Sequence, residues 1–275
     1  MSGIKVELQT ERFENDFFAI DTNNIQSSLA TLQTKYPAFT LDFLENILGI
    51  PLDDTGTVTA LSIKQFIKDY KPVKDSADVA FRSIDKYENE IKSGLQYLKF
   101  YFPQYPAPKK LITFIGPMDA FYQASTGGYG DIITTEGLGV GLQLHLGKNS
   151  TFYNNVIGQQ LYPSYISRRF DPEYIPVNCM KNIIDDIFPD RATGKNLLEQ
   201  MVDKGKRLYL LDKLLPNSAD TLKIGYTDAQ LKGSIANEAL IWNFFLENNL
   251  LYENDVQKIK SYVNESPNTP ELGDG

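Results

Sequence analysis

Residues 197–209 and 237–246 read Leu-Leu-Glu-Gln-Met-Val-Asp-Lys-Gly-Lys-Arg-Leu-Tyr and Asn-Glu-Ala-Leu-Ile-Trp-Asn-Phe-Phe-Leu. In both stretches apolar residues recur every three or four positions, the spacing of one face of an α-helix. Each apolar face also includes one charge, Lys204 in the first helix and Glu238 in the second. A buried charge is costly without a partner. We therefore expect a specific partner for each, the other being the simplest choice, either as a structural ion pair or as part of a site.

The rest of the chain predicts more helix around a short β region. Three strands are expected in the middle, at Lys110–Ile115, Asp131–Thr135 and Leu138–Leu146. The fold class is therefore α+β: mostly helical, with a small antiparallel three-stranded sheet. Without repeats or linker-like composition, one domain is predicted over 1–265, followed by a flexible tail at 266–275. Helices are predicted at about 23–35, 40–48, 58–70, 76–101, 172–188, 196–215, 228–247 and 255–263.

The third predicted strand has two unlike faces. Leucine and valine side chains alternate with Gly139, Gly141, Gln143 and His145. A strand face lined by glycine allows another backbone or a ligand to approach closely. These four residues are the predicted binding face, with residues 138–146 as a sheet edge open to strand addition by an extended peptide.

Composition excludes several classes of function. Lys and Arg number 27 against 35 Asp and Glu, a net charge of −8, which disfavours nucleic acid as a partner. No apolar run has the roughly 20 residues of a membrane span. One histidine in the whole chain excludes a zinc site of the His-Glu-x-x-His type, and no metal or other cofactor is expected.

Two residues keep an enzymatic alternative open. His145 is either a general base on the glycine face or a hydrogen-bonded strand histidine. Cys179 lies among apolar residues, which favours a buried small hydrophobe over a reactive thiol. A metal-independent hydrolase using His145 or Cys179 is therefore the rival to a non-catalytic protein.

Motifs in order along the chain resemble the gliding motility lipoprotein GldB family of Bacteroidetes. They are Phe-Leu-Glu-Asn-Ile-Leu-Gly at 43–49, Asp-Tyr-Lys-Pro-Val at 69–73, Lys-Phe-Tyr-Phe-Pro at 99–103, Leu-Ile-Thr-Phe-Ile-Gly at 111–116, Gly-Leu-Gln-Leu-His-Leu-Gly at 141–147, the segment at 197–209, Leu-Leu-Pro at 214–216, Ile-Gly-Tyr-Thr at 224–227 and Asn-Glu-Ala-Leu-Ile-Trp at 237–242.

The resemblance implies a non-catalytic lipoprotein of the gliding and protein secretion machinery. It would face the periplasm from the cell envelope, hold the membrane by an N-terminal lipid anchor, and bind other envelope proteins. Family members carry an export signal and a lipobox cysteine, and they continue beyond the last residues here. The chain is therefore expected to be shortened at both ends. A cytosolic protein that merely shares the fold is the further alternative.

A weaker resemblance is to zinc metallopeptidases of the gluzincin type. Asn178-Cys-Met-Lys-Asn182 would occupy the place of the His-Glu-x-x-His motif, and Lys204-Gly205 the place of the Glu-Gly pair. Neutral amides would then replace both histidines, and a cation would replace the ligating carboxylate. The resemblance implies a zincin-like architecture without metal, a pseudoenzyme in which Asn178, Asn182, Lys204 and Glu238 are the remains of the site.

Overall fold

A computed structural model describes residues 3–50, 56–119, 130–189 and 191–263, and the backbone of 268–269 and 273–274. Its contacts group the chain into two compact units, Met1–Asn182 and Ile183–Gly275. The single domain over 1–265 stays a prediction. The predicted tail at 266–275 lies outside the described residues except for a two-stranded antiparallel pairing, Asn268–Thr269 with Gly273–Asp274.

Helices dominate the described chain. Five of the eight predicted helices begin and end within a few residues of the predicted positions, and the α+β class with mainly helical content is confirmed. No described helix combines the length and the apolar composition needed to cross a membrane. In chain order the helices are α1 (Phe13–Phe18), α2 (Ile25–Lys35), α3 (Phe39–Asp42, continued by a π-helical turn over Phe43–Ile47), α4 (Thr57–Ala80), α5 (Asp85–Tyr101), α6 (Thr151–Asn154), α7 (Val156–Leu161), α8 (Ser164–Ser167), α9 (Tyr174–Ile187), α10 (Leu197–Leu214), α11 (Asp220–Ile224), α12 (Asp228–Ala236), α13 (Glu238–Glu247) and α14 (Val256–Val263).

The main sheet has four strands and mixed direction. They are β1 (Gln9–Arg12), β2 (Lys110–Phe114), β3 (Ile132–Ile133) and β4 (Leu138–Gly141), in the spatial order β1-β2-β4-β3. β2 runs parallel to both β1 and β4, whereas β3 pairs antiparallel with β4. The predicted antiparallel three-stranded sheet was therefore wrong. Helices α1–α5 separate β1 from β2 along the chain, which gives the long crossover that parallel pairing requires.

The third predicted strand is shorter than expected. β4 ends at Gly141, and Leu142–Leu144 form a 3₁₀ turn, closed by the His145 N–H, which donates to the Leu142 carbonyl at 3.0 Å. The turn ends the alternation of inward and outward side chains after Gly141. All of residues 138–145 are buried, in the strand as well as in the turn.

Three of the predicted helices also have other bounds in the structure. The helix predicted over 76–101 begins only at Asp85. α4 continues through Pro72 to Ala80, although the sequence predicted a break there. Val73 and Ala77 on its inner face are buried, and this packing outweighs the lost hydrogen bond of one proline. The helix predicted over 228–247 is interrupted at Asn237, which separates α12 from α13.

An aromatic cluster forms the core of the first unit. The ring of Phe13 lies 4.8 Å from those of Phe39 and Phe43 and 5.0 Å from that of Tyr36, centroid to centroid, with edge-to-face geometry. Phe114 of β2 packs against the same cluster. This core holds α1 and α3 against the sheet and so fixes the strands that carry the site.

The second unit has a smaller core. Leu197, Leu250 and Ile259 are buried together, with Met201, Phe245, Tyr262 and Val263 packed against them. α10 begins with a reciprocal capping box between Asn196 and Glu199, which satisfies two backbone donors that would otherwise lack partners.

Candidate functional site

Asp131 is the centre of a buried polar cluster at the end of the sheet. Its carboxylate accepts hydrogen bonds from His145 Nε2 at 2.9 Å and 3.0 Å, and from the Gly141 backbone N–H at 3.1 Å. An ionised carboxylate only accepts, so with Asp131 in that form this contact requires the proton of the His145 ring on Nε2. Asp131 and His145 each expose about 1% of their surface.

Helix α9 contributes two amides to the same residue. Asn178 Nδ2 donates to the Asp131 carboxylate at 3.0 Å, and Asn182 Nδ2 donates to the Asp131 main-chain carbonyl at 2.8 Å. Residues four apart lie on one face of a helix, so both amides reach the strand from the same side. The spacing from Asn178 to Asn182 was singled out in the sequence, and the structure gives it a role as a clamp on Asp131.

Gln143 links this cluster to the neighbouring strand. Its Oε1 atom accepts from the Gly116 N–H at 2.8 Å, and its main-chain carbonyl accepts from the Tyr153 hydroxyl at 2.6 Å. Tyr153 in turn accepts from the Leu146 N–H at 3.1 Å. Burial raises the pKa of Tyr153, which keeps its hydroxyl protonated as a donor.

The glycine face is filled by the protein itself. A Cβ atom on Gly139 would lie 2.9 Å from the Ile132 side chain, and one on Gly141 would lie 2.6 Å from the Gly130 carbonyl oxygen. β4 is also flanked by β2 and β3, so residues 138–146 do not form a sheet edge. The expectation that this strand would accept an added peptide strand was wrong. β2 pairs with all of β4, β3 pairs with Leu138 and Gly139, and the chain leaves the strand conformation after Gly141.

The cluster contains two of the three members of a catalytic triad. A carboxylate orients a histidine ring, as in serine and cysteine hydrolases. The Nδ1 atom, which would face a nucleophile, is buried and has no hydrogen-bond partner among the described residues. A catalytic base needs a proton donor within hydrogen-bond reach and access for substrate. Among the described residues the cluster offers neither.

A family model described as gliding motility protein GldB matches residues 1–275. The chain belongs to the GldB family. Membership links it to gliding motility, and the family name suggests a lipoprotein of the cell envelope. Comparison with curated proteins gave no match, and comparison with solved structures gave none either. The resemblance to zinc metallopeptidases therefore gained no support.

In this GldB family member Lys204 and Glu238 are not buried, contrary to the prediction from the sequence. Both side chains are exposed, and within the described chain they form no ion pair with each other. The inferred burial was wrong. The apolar face of α13 is itself largely exposed, and on α10 the burial at the two ends of the helix does not extend to Lys204 in the middle. Buried residues of α10 are confined to Leu197, Leu211 and Leu214. A charge on an unburied face needs no compensating partner.

Asp131 is the residue that sequence reasoning missed. It was noted only as the first residue of a strand, and no motif surrounds it. The residues that contact it come from β4, from the turn after β4 and from α9, so its importance depends on tertiary contacts. Within the described part of the chain, no group of three or more His, Cys, Asp or Glu residues could hold a metal ion.

Cys179 lies on α9 between the two clamp residues and is expected to be inert in the native protein. It exposes about 1% of its surface, and burial raises the pKa of its thiol well above the ordinary value. Because only the thiolate reacts quickly, iodoacetamide at pH 8 should label it in urea but leave it unmodified in buffer. Rapid labelling of the folded protein, followed by mass spectrometry, would contradict this burial.

Proposed function

We propose that this chain is a non-catalytic component of the gliding motility machinery and of the protein secretion linked to it, and that it acts by binding other envelope proteins. One observation carries the proposal. The histidine and the cysteine on which a hydrolase would depend are both sealed inside the first unit, and His145 is already bonded to Asp131. These residues support the fold around Asp131.

We further propose that the protein works as a lipoprotein facing the periplasm, with a lipid anchor holding it to a membrane. The family name supports this placement. Binding to other envelope proteins would then occur close to the membrane surface. This role requires stable contacts between proteins and no catalytic step. Nucleic acid is not expected as a partner, since the chain carries a net charge of −8.

The alternative function is a metal-independent hydrolase. The orientation of His145 by Asp131 is the observation that favours it, because the same pairing activates nucleophiles in many hydrolases. For this alternative to hold, the buried Nδ1 atom would have to become accessible to a serine or to Cys179 on binding substrate.

Three measurements separate these functions. The anchored full-length protein, isolated from its own membrane with mild detergent, should co-purify with a defined set of envelope proteins in stoichiometric amounts. The same sample should show no labelling by a fluorophosphonate or by an iodoacetamide probe. Cells producing the Cys179→Ala variant should spread on agar at the wild-type rate.

Specific labelling would favour the hydrolase. A serine or Cys179 that is modified in the folded wild-type protein, but not in a folded His145→Gln variant, would reveal an activated nucleophile. Circular dichroism would establish that the variant is folded. Absence of both labelling and co-purifying proteins would contradict the proposed binding role itself.

A further inference from the structure

Helix α13 of the second unit is apolar on nearly every side and yet exposed. Within Glu238–Glu247 only Phe245 packs on the core of this unit, and no residue of the helix is buried. Leu240 exposes 67% of its surface and Leu246 58%, and the Ile241, Trp242 and Phe244 side chains are exposed as well. A helix that is hydrophobic all round is normally buried, and exposed apolar patches of this kind mark interaction surfaces.

A groove lies beside this helix. It has a volume of about 440 Å³ and is formed by α12, the start of α13 and the segment before α12. Ile241 and Tyr226 contribute apolar side chains to its lining, and Gly233 contributes no side chain. The polar groups of its rim are uncharged. The lining residues are Tyr226, Gln230, Gly233, Ser234, Asn237 and Ile241.

The charges on α13 and on the chain directly before and after it are all negative. From Gly233 to Val256 the sequence contains Glu238, Glu247, Glu253 and Asp255 but no lysine or arginine. Glu253 pairs with Lys258 at 3.1 Å. Glu238 and Glu247, at the two ends of α13, have no ion-pair partner among the described residues. The backbone positions of the two residues lie roughly 13.5 Å apart along the helix axis, at 1.5 Å per residue.

This charge pattern distinguishes between the surfaces that could bind to α13 and the groove. A second copy of the chain would place carboxylate against carboxylate at each end of α13, in either orientation of the paired helices. An anionic membrane surface would repel the same carboxylates and the net charge of −8. A protein surface that combines apolar side chains with flanking lysine or arginine satisfies both features.

We infer that α13 and the adjacent groove form a docking surface for a basic, amphipathic segment of a partner protein. Apolar side chains of that segment contact Leu240, Trp242 and Leu246, and its cations lie near Glu238 and Glu247. This inference rests on the proposed binding function and specifies the surface and the chemistry of the partner.

Trp242, the single tryptophan of the chain, reports directly on this surface. The probe is a synthetic amphipathic helix of leucine and lysine, added to the full chain, and its twin has glutamate in place of every lysine. The lysine peptide should shift Trp242 fluorescence to the blue with saturable binding, and the glutamate twin should bind at least tenfold more weakly. The double variant Glu238→Lys/Glu247→Lys should reverse that preference.

A matched control separates this site from general electrostatics. The double variant Glu7→Lys/Glu45→Lys changes two exposed carboxylates of the first unit and gives the same net charge, and it should keep the wild-type preference. Leu240→Ser/Leu246→Ser should remain folded, with an unchanged midpoint in urea, and should lose at least tenfold in peptide affinity.

Three results would overturn the inference. They are no response of Trp242 to the lysine peptide, a stable dimer in light scattering that Leu240→Ser disrupts, and a blue shift with phosphatidylglycerol vesicles in place of the peptide. If any of these occurs while envelope proteins still co-purify with the full-length protein, the docking surface fails and the proposed function stands. Loss of co-purification as well would contradict both.

Discussion

The Asp131→Ala variant is expected to lose about 3–5 kcal/mol of unfolding free energy, because three buried hydrogen-bond donors lose their acceptor and each such loss costs about 1–3 kcal/mol. Asp131 accepts from His145, Asn178 and the Gly141 N–H, all within 3.1 Å. Without the carboxylate these three donors stay buried without partners, and the desolvation of each unpaired donor lowers the stability of the folded protein. Urea denaturation followed by circular dichroism measures the change.

The matched control is the same substitution at an exposed aspartate. Asp75 pairs with Lys71 one helical turn away on α4, and 58% of its side-chain surface is exposed. Exposed pairs of this kind contribute at most about 0.5 kcal/mol, so Asp75→Ala should leave the unfolding midpoint nearly unchanged. Equal effects at the two positions would mean that the cluster around Asp131 is open to water in solution.

A double-mutant cycle measures how much of the unfolding free energy contributed by the cluster comes from the contact between Asp131 and His145. If the Asp131–His145 contact dominates, Asp131→Ala and His145→Ala should be far from additive, since either change removes the same interaction. Additive effects would instead place most of the stabilisation in the Asn178 and Gly141 hydrogen bonds.

The helices could be predicted from the sequence because their signals are local. The start of α10 is marked by Asn196 and Glu199, which form a capping box in the structure, and the end of α5 lies just before Pro103. The sheet could not be predicted in the same way. β1 pairs with β2 in a register that joins Gln9 to Lys110, and no local pattern reports a contact between residues so far apart.

The site was predictable in part. His145, Asn178 and Asn182 were separately singled out, and the structure brings them together around Asp131. The periodicity that drew attention to Lys204 and Glu238 was real but misleading. A helical stripe of apolar residues indicates that one face of the helix is suited to burial. It does not indicate whether the surface that covers this face belongs to the same chain or to another one. The exposed α13 is the clearest instance.

The Gly141→Ala variant is expected to lose about 2–3 kcal/mol of unfolding free energy, which is typical of overpacking in a core. The backbone of Gly141 has a φ of −81°, so alanine meets no conformational strain there. The cost is steric: its Cβ atom would lie 2.6 Å from the Gly130 carbonyl oxygen and 3.0 Å from Gln143 Nε2. Because Gly130 directly precedes Asp131, relief of this contact would also displace the carboxylate from His145.

Gly205→Ala is the control, since it is the same substitution in the interior of α10 with open space around the new methyl group. Alanine there should raise the unfolding free energy by about 0.5–1 kcal/mol, because glycine loses more backbone entropy in a helix. The two variants should therefore move the urea midpoint in opposite directions. A neutral Gly141→Ala variant would mean that the glycine face has room for another group, and the strand around His145 would again be a candidate for ligand binding.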